Sequence, residues 1–168
     1  MIRHLTVSGF VVERDSVYLH WHPKIALWLP PGGHMDPDED PVQAVLRETL
    51  EETGIRCEVV PHEPELAFDN VGQLPSPVKI IVADVLDAIE GDHQHIDMSY
   101  VLRPVAGAAR EEPERDHGFR WVSEQELRRN DPLPVASCGV EMCVPEDVRV
   151  IGLKAIALVR GWQVTGDR

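Results

Sequence analysis

The hydrophobic pattern along the chain predicts a succession of β-strands. Two segments rich in β-branched and aromatic residues, LTVSGFVV and SVYLHW, flank the polar residues ERD, as expected for two strands joined by a turn. Further strands are predicted at RCEVV, ELAFD, PVKIIVADVLDAI, IDMSYVLRP and FRWV, which are separated by segments rich in Pro, Gly and charge. We therefore expect the chain to open with a β-hairpin.

A helix is predicted after the first strands. It runs from about Pro41 to Thr53, because Asp40 is a suitable N-cap, Gln43 closes a capping box with it, and proline is favoured at the first helical position. Gly54 then ends the helix as a C-cap.

Two more helical segments are predicted in the second half of the chain. SEQELRRN has capping-box spacing, with Ser123 as the cap and Glu126 three residues later. The stretch from about Pro145 to Trp162 predicts a closing helix, and NDPLPVASCG before it is expected to be a loop. Apolar positions of the closing helix include Val148, Ile151, Ile156 and Val159. The order of elements indicates an α+β or α/β sandwich with a sheet between helices.

Length and charge narrow the class of protein. With 168 residues, 43% of them apolar, residues 1–168 fit one domain with a full core. The net charge of -13 opposes attraction to nucleic-acid polymers and to anionic membranes, so neither is expected as a partner. Small phosphorylated ligands stay open, because a divalent cation held by carboxylates reverses the sign of the local field.

Cysteine usage and hydropathy indicate a cytoplasmic protein. Cys57, Cys138 and Cys143 are odd in number and have no CxxC spacing, so we expect inert, reduced thiols. The apolar run in MIRHLTVSGFVVERD is too short for a signal peptide, and the run from Ile80 to Ile89 is interrupted by aspartates.

Three glutamates converge on one face of the first helix. Glu48, Glu51 and Glu52 fall within one turn, where like charges destabilise a helix unless cations fill the site. Arg47 relieves only part of this repulsion. A cluster of oxygen ligands without Cys or His suits Mg²⁺, with Mn²⁺ as the second choice. We expect a metal platform for a phosphate ligand.

Two glycines precede the helix and support this interpretation. Gly32 and Gly33 allow the backbone to approach closely, so that a carbonyl oxygen joins the metal ligands. By glutamate spacing alone, the alternative is an acidic solvated helix face beside an ordinary glycine turn.

The wider spacing resembles a known signature. From Gly33, five residues lead to Glu39 and seven more lead to RETLEETGI, which is similar to the Nudix box: Gly, five residues, Glu, seven residues, then Arg-Glu-aliphatic-any-Glu-Glu-any-Gly-aliphatic. Thr49 departs from it, since a bulky aliphatic residue is usual there. The box covers Gly33 to Ile55, and the strand order around it also resembles the Nudix fold, an α+β fold of the α/β/α sandwich type with a mixed sheet between helices.

This resemblance implies an activity and a set of site residues. Nudix enzymes hydrolyse a nucleoside diphosphate linked to another moiety, using a divalent metal and a water that attacks phosphorus. Carried over by position, the metal ligands would be Glu48, Glu51, Glu52 and the Gly32 carbonyl, with Arg47 orienting the glutamates and Gly33 and Glu39 supporting them.

The general base has two candidate locations, the first helix and a later loop. Glu48 or Glu52 could accept the proton of the attacking water. Family members also place the base in a later loop, where REEPERDHGFRW offers candidates, of which we favour Glu112 or Glu114.

Other polar residues have two interpretations each. His93, His95 and Asp97 alternate, so on a strand they share one face; as a metal site they would suit zinc but need a further ligand. The more ordinary interpretation is a polar sheet face or loop near the substrate cleft, where His95 contacts substrate. Lys24 and Arg103 are candidate phosphate contacts or ordinary surface charges.

The sequence favours a Mg²⁺-dependent pyrophosphohydrolase acting on a small nucleotide-like diphosphate. The alternative is a non-catalytic nucleotide-binding regulator of the same fold, against which the intact glutamates argue. An isomerase on a related scaffold would need a suitably placed catalytic cysteine. Nucleoside triphosphates, ordinary or oxidised, ADP-ribose and nucleotide sugars all stay open as substrates. A homodimer also stays open, since Nudix proteins are often dimers.

Overall fold

The computed structural model describes residues 2–64, 66–86, 91–109 and 118–165. Within these residues the chain forms ten strands and three helices. In chain order they are β1 (Arg3–Glu13), β2 (Ser16–His22), β3 (Leu27–Leu29), β4 (Gly32–His34), α1 (Pro41–Thr53), β5 (Cys57–Val59), β6 (Lys79–Val85), β7 (His93–Pro104), β8 (Arg120–Ser123), α2 (Glu124–Arg129), β9 (Leu133–Val135), β10 (Val140–Met142) and α3 (Glu146–Thr165).

The main sheet is mixed and is centred on β1. This strand runs parallel to β7 over nine paired residues, from Arg3 opposite Gln94 to Val11 opposite Leu102. It is antiparallel to β2 at its C-terminal end, and to β4 through residues 6–8. The remaining partners of β7 are β5 and β6, both antiparallel, and β8 extends the sheet beyond β2.

Alternate side chains of β1 point to opposite faces of the sheet, and a helix packs on each face. Val7 and Val11 point to one face and pack in one buried cluster with Ala44 and Val45 of α1. Phe10 and Val12 point to the other face, in a second cluster that includes the buried residues of α3. All four apolar positions predicted for α3 are buried. The structure therefore confirms the α/β/α sandwich.

Local signals define α1 as expected. The Asp40 carboxylate accepts hydrogen bonds from the amides of Val42 and Gln43, and both halves of the capping box are formed. Gly54 ends the helix in the left-handed region, at φ 67°. Capping thus fixes where the acidic face of α1 begins and ends.

The helix packs closely on β1 because Gly9 has no side chain. A Cβ atom added there would lie 2.6 Å from Oγ1 of Thr49, which is fully buried. The residue that departs from the Nudix pattern therefore occupies a packing position, away from the acidic face.

Several sequence-based expectations were wrong. Leu66–Asp69 of the segment ELAFD are not in a strand, and the Leu66 amide donates to the side chain of Gln73 instead of to a strand partner. The expected loop NDPLPVASCG contains β9 and leads into β10, with Val135 paired to Val140. Strands β3 and β4 are too short for a periodicity signal.

Among the described residues, no helix combines the length and apolar character needed to cross a membrane.

Candidate functional site

Arg47 organises the acidic face of α1. Its Nε and Nη2 atoms donate to the two carboxylate oxygens of Glu39, at 2.7 and 2.8 Å. Its Nη1 donates to Glu48 at 2.8 Å and to Glu51 at 3.2 Å, and Nη2 also donates to the carbonyl of His34 at 3.1 Å. One guanidinium thus fixes three carboxylates and the end of β4 relative to one another.

The electrostatics of this network reinforce its geometry. The hydrogen bonds from Arg47 hold the pKa of Glu39 below its ordinary value. The same pairing raises the pKa of Arg47, although its partial burial acts in the opposite direction. Because Arg47 stays protonated and Glu39 ionised, the pair supports Glu48 and Glu51 in fixed positions.

Strand β4 brings its backbone against two of the glutamates. The amide of Gly32 donates to Oε2 of Glu52 at 3.1 Å. A Cβ atom added to Gly33 would lie 2.6 Å from both the carboxyl carbon and Oε1 of Glu48. A Cβ atom added to Gly32 would lie 2.1 Å from the carbonyl oxygen of Val7. Glycine is therefore required at position 32 by contact with backbone, whereas at position 33 any side chain would displace the Glu48 carboxylate.

These residues fit a divalent cation of the Mg²⁺ class. All available ligand atoms are oxygens, from the carboxylates of Glu48, Glu51 and Glu52 and from the backbone of β4. The absence of a side chain at Gly33 makes the cradle in which the Glu48 carboxylate lies. One positive guanidinium among four carboxylates leaves a net negative charge, which favours a bound cation.

Two residues considered for phosphate contacts lie in different surroundings. Lys24 is exposed in the turn between β2 and β3. Arg103, near the end of β7, forms an ion pair with Glu58 at 2.5 Å and lies 3.7 Å over the ring of Trp162. Arg103 is therefore engaged by its own neighbours. Glu112 and Glu114, the candidate bases, lie outside the described residues.

The alternating polar residues of β7 lie on the sheet face opposite α1. Asp97 accepts hydrogen bonds from the hydroxyls of Thr6, Ser8 and Ser99, at 3.1, 2.9 and 3.0 Å. Burial raises its pKa, against the effect of those three donors. His95 lies next to this row, among other histidines. A metal site with His93 and His95 would need a further ligand, and His4 of β1 and His34 of β4 lie nearby. Only the strand pairing reveals this proximity.

Comparison with known proteins relates the chain to one family. The family model described as NUDIX domain matches residues 2–137. A bis(5'-nucleosyl)-tetraphosphatase (asymmetrical) from Caenorhabditis elegans is 40% identical over 73 residues, which cover 40% of this chain and 53% of that protein. A probable DHNTP pyrophosphohydrolase from Lactococcus lactis is 30% identical over 98 residues, covering 58% of this chain and 52% of that protein. The chain thus spans about half the length of these two relatives.

The similarity also extends to a solved structure. The crystal structure of a NUDIX-family hydrolase from Clostridium perfringens superposes with a TM-score of 0.70 at 25% identity. The match covers 95% of this chain and 99% of that one, well beyond the segment that carries the glutamates.

Proposed function

Because the chain belongs to the NUDIX family, we propose that it is a pyrophosphohydrolase that cleaves a nucleoside diphosphate linked to another moiety. The observation that carries this proposal is the network in which Arg47 joins Glu39, Glu48 and Glu51 beside the β4 backbone. Such a network is suited to hold carboxylates around a cation and a diphosphate.

In this proposal the acidic face of α1 holds a divalent cation, Mg²⁺ or alternatively Mn²⁺. Its ligands are Glu48, Glu51, Glu52 and the carbonyl of Gly32. When bound, the cation neutralises charge on the phosphate oxygens and lowers the pKa of a coordinated water. Arg47 positions two of the ligands, Glu48 and Glu51, through its hydrogen bonds.

Protein groups then supply the proton transfer and the orientation of the water. Glu48 and Glu52 are the described candidates for the base, and each already has a fixed partner, Arg47 for Glu48 and the Gly32 amide for Glu52. A fixed carboxylate limits the directions from which water can donate its proton, which favours attack on one phosphorus. Glu112 and Glu114 stay alternatives.

The names of the relatives support a substrate class for the first tests. Those proteins are described as a bis(5'-nucleosyl)-tetraphosphatase and a probable DHNTP pyrophosphohydrolase, so small nucleotides with a polyphosphate chain are the first compounds to test. A cytoplasmic location is part of this proposal, since Cys57, Cys138 and Cys143 all carry free thiols.

The test is a panel of nucleotides assayed with and without Mg²⁺ or Mn²⁺. It includes dinucleoside polyphosphates, nucleoside triphosphates, ADP-ribose and nucleotide sugars, with release of phosphate, pyrophosphate and mononucleotide measured for each. Wild type is compared with Glu52→Gln and with Glu13→Gln, an exposed glutamate at the end of β1.

Metal-dependent turnover by wild type and Glu13→Gln that is lost in Glu52→Gln is the expected result. Binding of nucleotides without turnover in wild type would instead favour the non-catalytic regulator. Turnover that Glu52→Gln retains in full would contradict the assignment of the glutamate face.

A further inference from the structure

Four histidines gather on the face of the sheet opposite α1. His4 of β1 is paired in register with His95 of β7, and His93 lies two residues earlier on the same face. His34, the last residue of β4, follows Gly33 and turns its ring to this face. Its ring centroid lies 5.3 Å from that of His4 and 4.9 Å from that of His95.

Three of these rings bring nitrogen atoms close together. One ring nitrogen each from His4, His93 and His95 lies within 4.8 Å of the others. Nε2 of His93 and Nε2 of His95 are 3.1 Å apart. Two nitrogens bound to one tetrahedral Zn²⁺ at 2.0–2.1 Å would be about 3.3 Å apart. The observed spacing is close to that required of two ligands of a single ion.

The other nitrogen of His93 is already oriented. Its Nδ1 lies 2.8 Å from the carbonyl oxygen of Gly91, which has no proton to give, so Nδ1 carries the proton and donates it. In the neutral form of the ring, Nε2 carries a lone pair that faces Nε2 of His95, which lies within hydrogen-bond distance. Metal-binding histidines commonly donate their second ring N–H to a backbone carbonyl in this way.

The surroundings allow an ion to enter and be retained. His93 is buried, whereas His4 is partly exposed and His34 exposed. The two more accessible histidines line a shallow open depression with Leu5 and Met35. An ion could thus reach the nitrogens of His4, His93 and His95 from solvent by way of this depression.

We propose that His4, His93 and His95 form a second metal site that binds a transition-metal ion such as Zn²⁺. Imidazole nitrogen suits Zn²⁺ and similar ions, whereas the carboxylates of α1 suit Mg²⁺ or Mn²⁺, so the two sites differ in ligand chemistry. The fourth position is open to water or to His34. Binding of an ion at these histidines does not depend on the proposed hydrolysis, because it depends on the histidine geometry alone.

The site joins strands that are distant in sequence. A bound ion would connect the beginning of β1 to the beginning of β7, where the two strands start their parallel pairing. Since the ion binds the folded chain and not the separated strands, binding should raise the unfolding temperature in proportion to the logarithm of the ion concentration.

The experiment measures Zn²⁺ binding to the metal-free full chain by calorimetry, with Mg²⁺ in large excess to occupy the carboxylates of α1. Wild type is compared with His4→Gln, His95→Gln and Glu52→Gln. His62→Gln is the matched control, since His62 lies beside Glu63 in a different part of the chain. Circular dichroism checks the fold of each variant, and Co²⁺ provides visible bands that report nitrogen ligands.

We expect one equivalent of Zn²⁺ per wild-type chain, which His62→Gln and Glu52→Gln retain. His4→Gln and His95→Gln should each weaken binding by more than about tenfold, because even the loss of an outer partner costs that much in metal sites. If one of the two does not fold, the other decides. Three results would each overturn the proposal. The first is no Zn²⁺ binding by wild type, and the second is loss of binding in Glu52→Gln. The third is a folded His4→Gln or His95→Gln variant that binds Zn²⁺ as tightly as wild type.

Discussion

The contact between Gly33 and Glu48 leads to a sharp prediction for Gly33→Ala. The added methyl carbon would lie 2.6 Å from the Glu48 carboxyl carbon. Restoring an ordinary contact of about 3.5 Å requires the carboxylate to retreat by about 1 Å. The obstructing atoms are the far end of a flexible side chain, so the backbone of β4 can remain in place.

The expected effect falls on activity and spares the fold. A displacement of about 1 Å in a catalytic arrangement can lower the rate by about 100-fold, which corresponds to about 2.7 kcal/mol of transition-state stabilisation. The free energy of unfolding should change by less than about 1 kcal/mol, because alanine also restricts the unfolded chain.

Two matched variants separate site geometry from general effects of alanine. In Gly32→Ala the methyl group would lie 2.1 Å from the Val7 carbonyl oxygen, a backbone atom, so stability should fall by about 2 kcal/mol or more. In Gly72→Ala no atom lies within 4 Å, so neither property should change. The assays are kcat/KM with Mg²⁺ on the substrate found in the panel, and urea unfolding. Activity of Gly33→Ala within twofold of wild type would refute the reasoning.

Three other predictions concern stability and reactivity. Thr49→Val should raise the free energy of unfolding by about 1 kcal/mol in urea titrations. The reason is that the buried Thr49 hydroxyl has no hydrogen-bond partner in the described structure. A loss of stability in this variant would contradict the prediction. Burial raises the pKa of Cys57 to about 12, so a thiol reagent at pH 8 should modify only the exposed Cys138 and Cys143 in the folded protein and all three cysteines after denaturation. Because Arg47 lowers the pKa of Glu39 from 4.5, that carboxylate stabilises the fold above about pH 4.5 and loses its contribution as the pH falls through the lowered pKa. The stability difference between wild type and Glu39→Gln should therefore shrink on acidification, and a difference that stays constant would exclude this pairing as its source.

Local signals in the sequence were sufficient for α1 and its acidic face. The cap at Asp40, the stop at Gly54 and the spacing of the glutamates all act within a few residues, so they could be recognised without knowledge of the sheet. The family resemblance based on the box is confirmed by the match over residues 2–137.

Features that depend on strand pairing could not be predicted in the same way. Strand β4 contains two glycines, which have low strand propensity, and it exists because it pairs with Thr6–Ser8 of β1. The histidine cluster has the same origin, since His4 meets His95 only through the parallel pairing of β1 with β7. Sequence spacing indicated two members of that cluster and gave no sign of the other two.

In the proposed function, the glutamate face of α1 supports attack of water on a phosphorus atom. The most direct measurement is hydrolysis of the preferred nucleotide in water labelled with heavy oxygen, with Mg²⁺ present, by wild type and by Glu52→Gln. We expect the label in a phosphate group of one product, at a rate that is greatly reduced in Glu52→Gln. Label in a non-phosphate product, or equal rates of label incorporation by the two proteins, would contradict the claim.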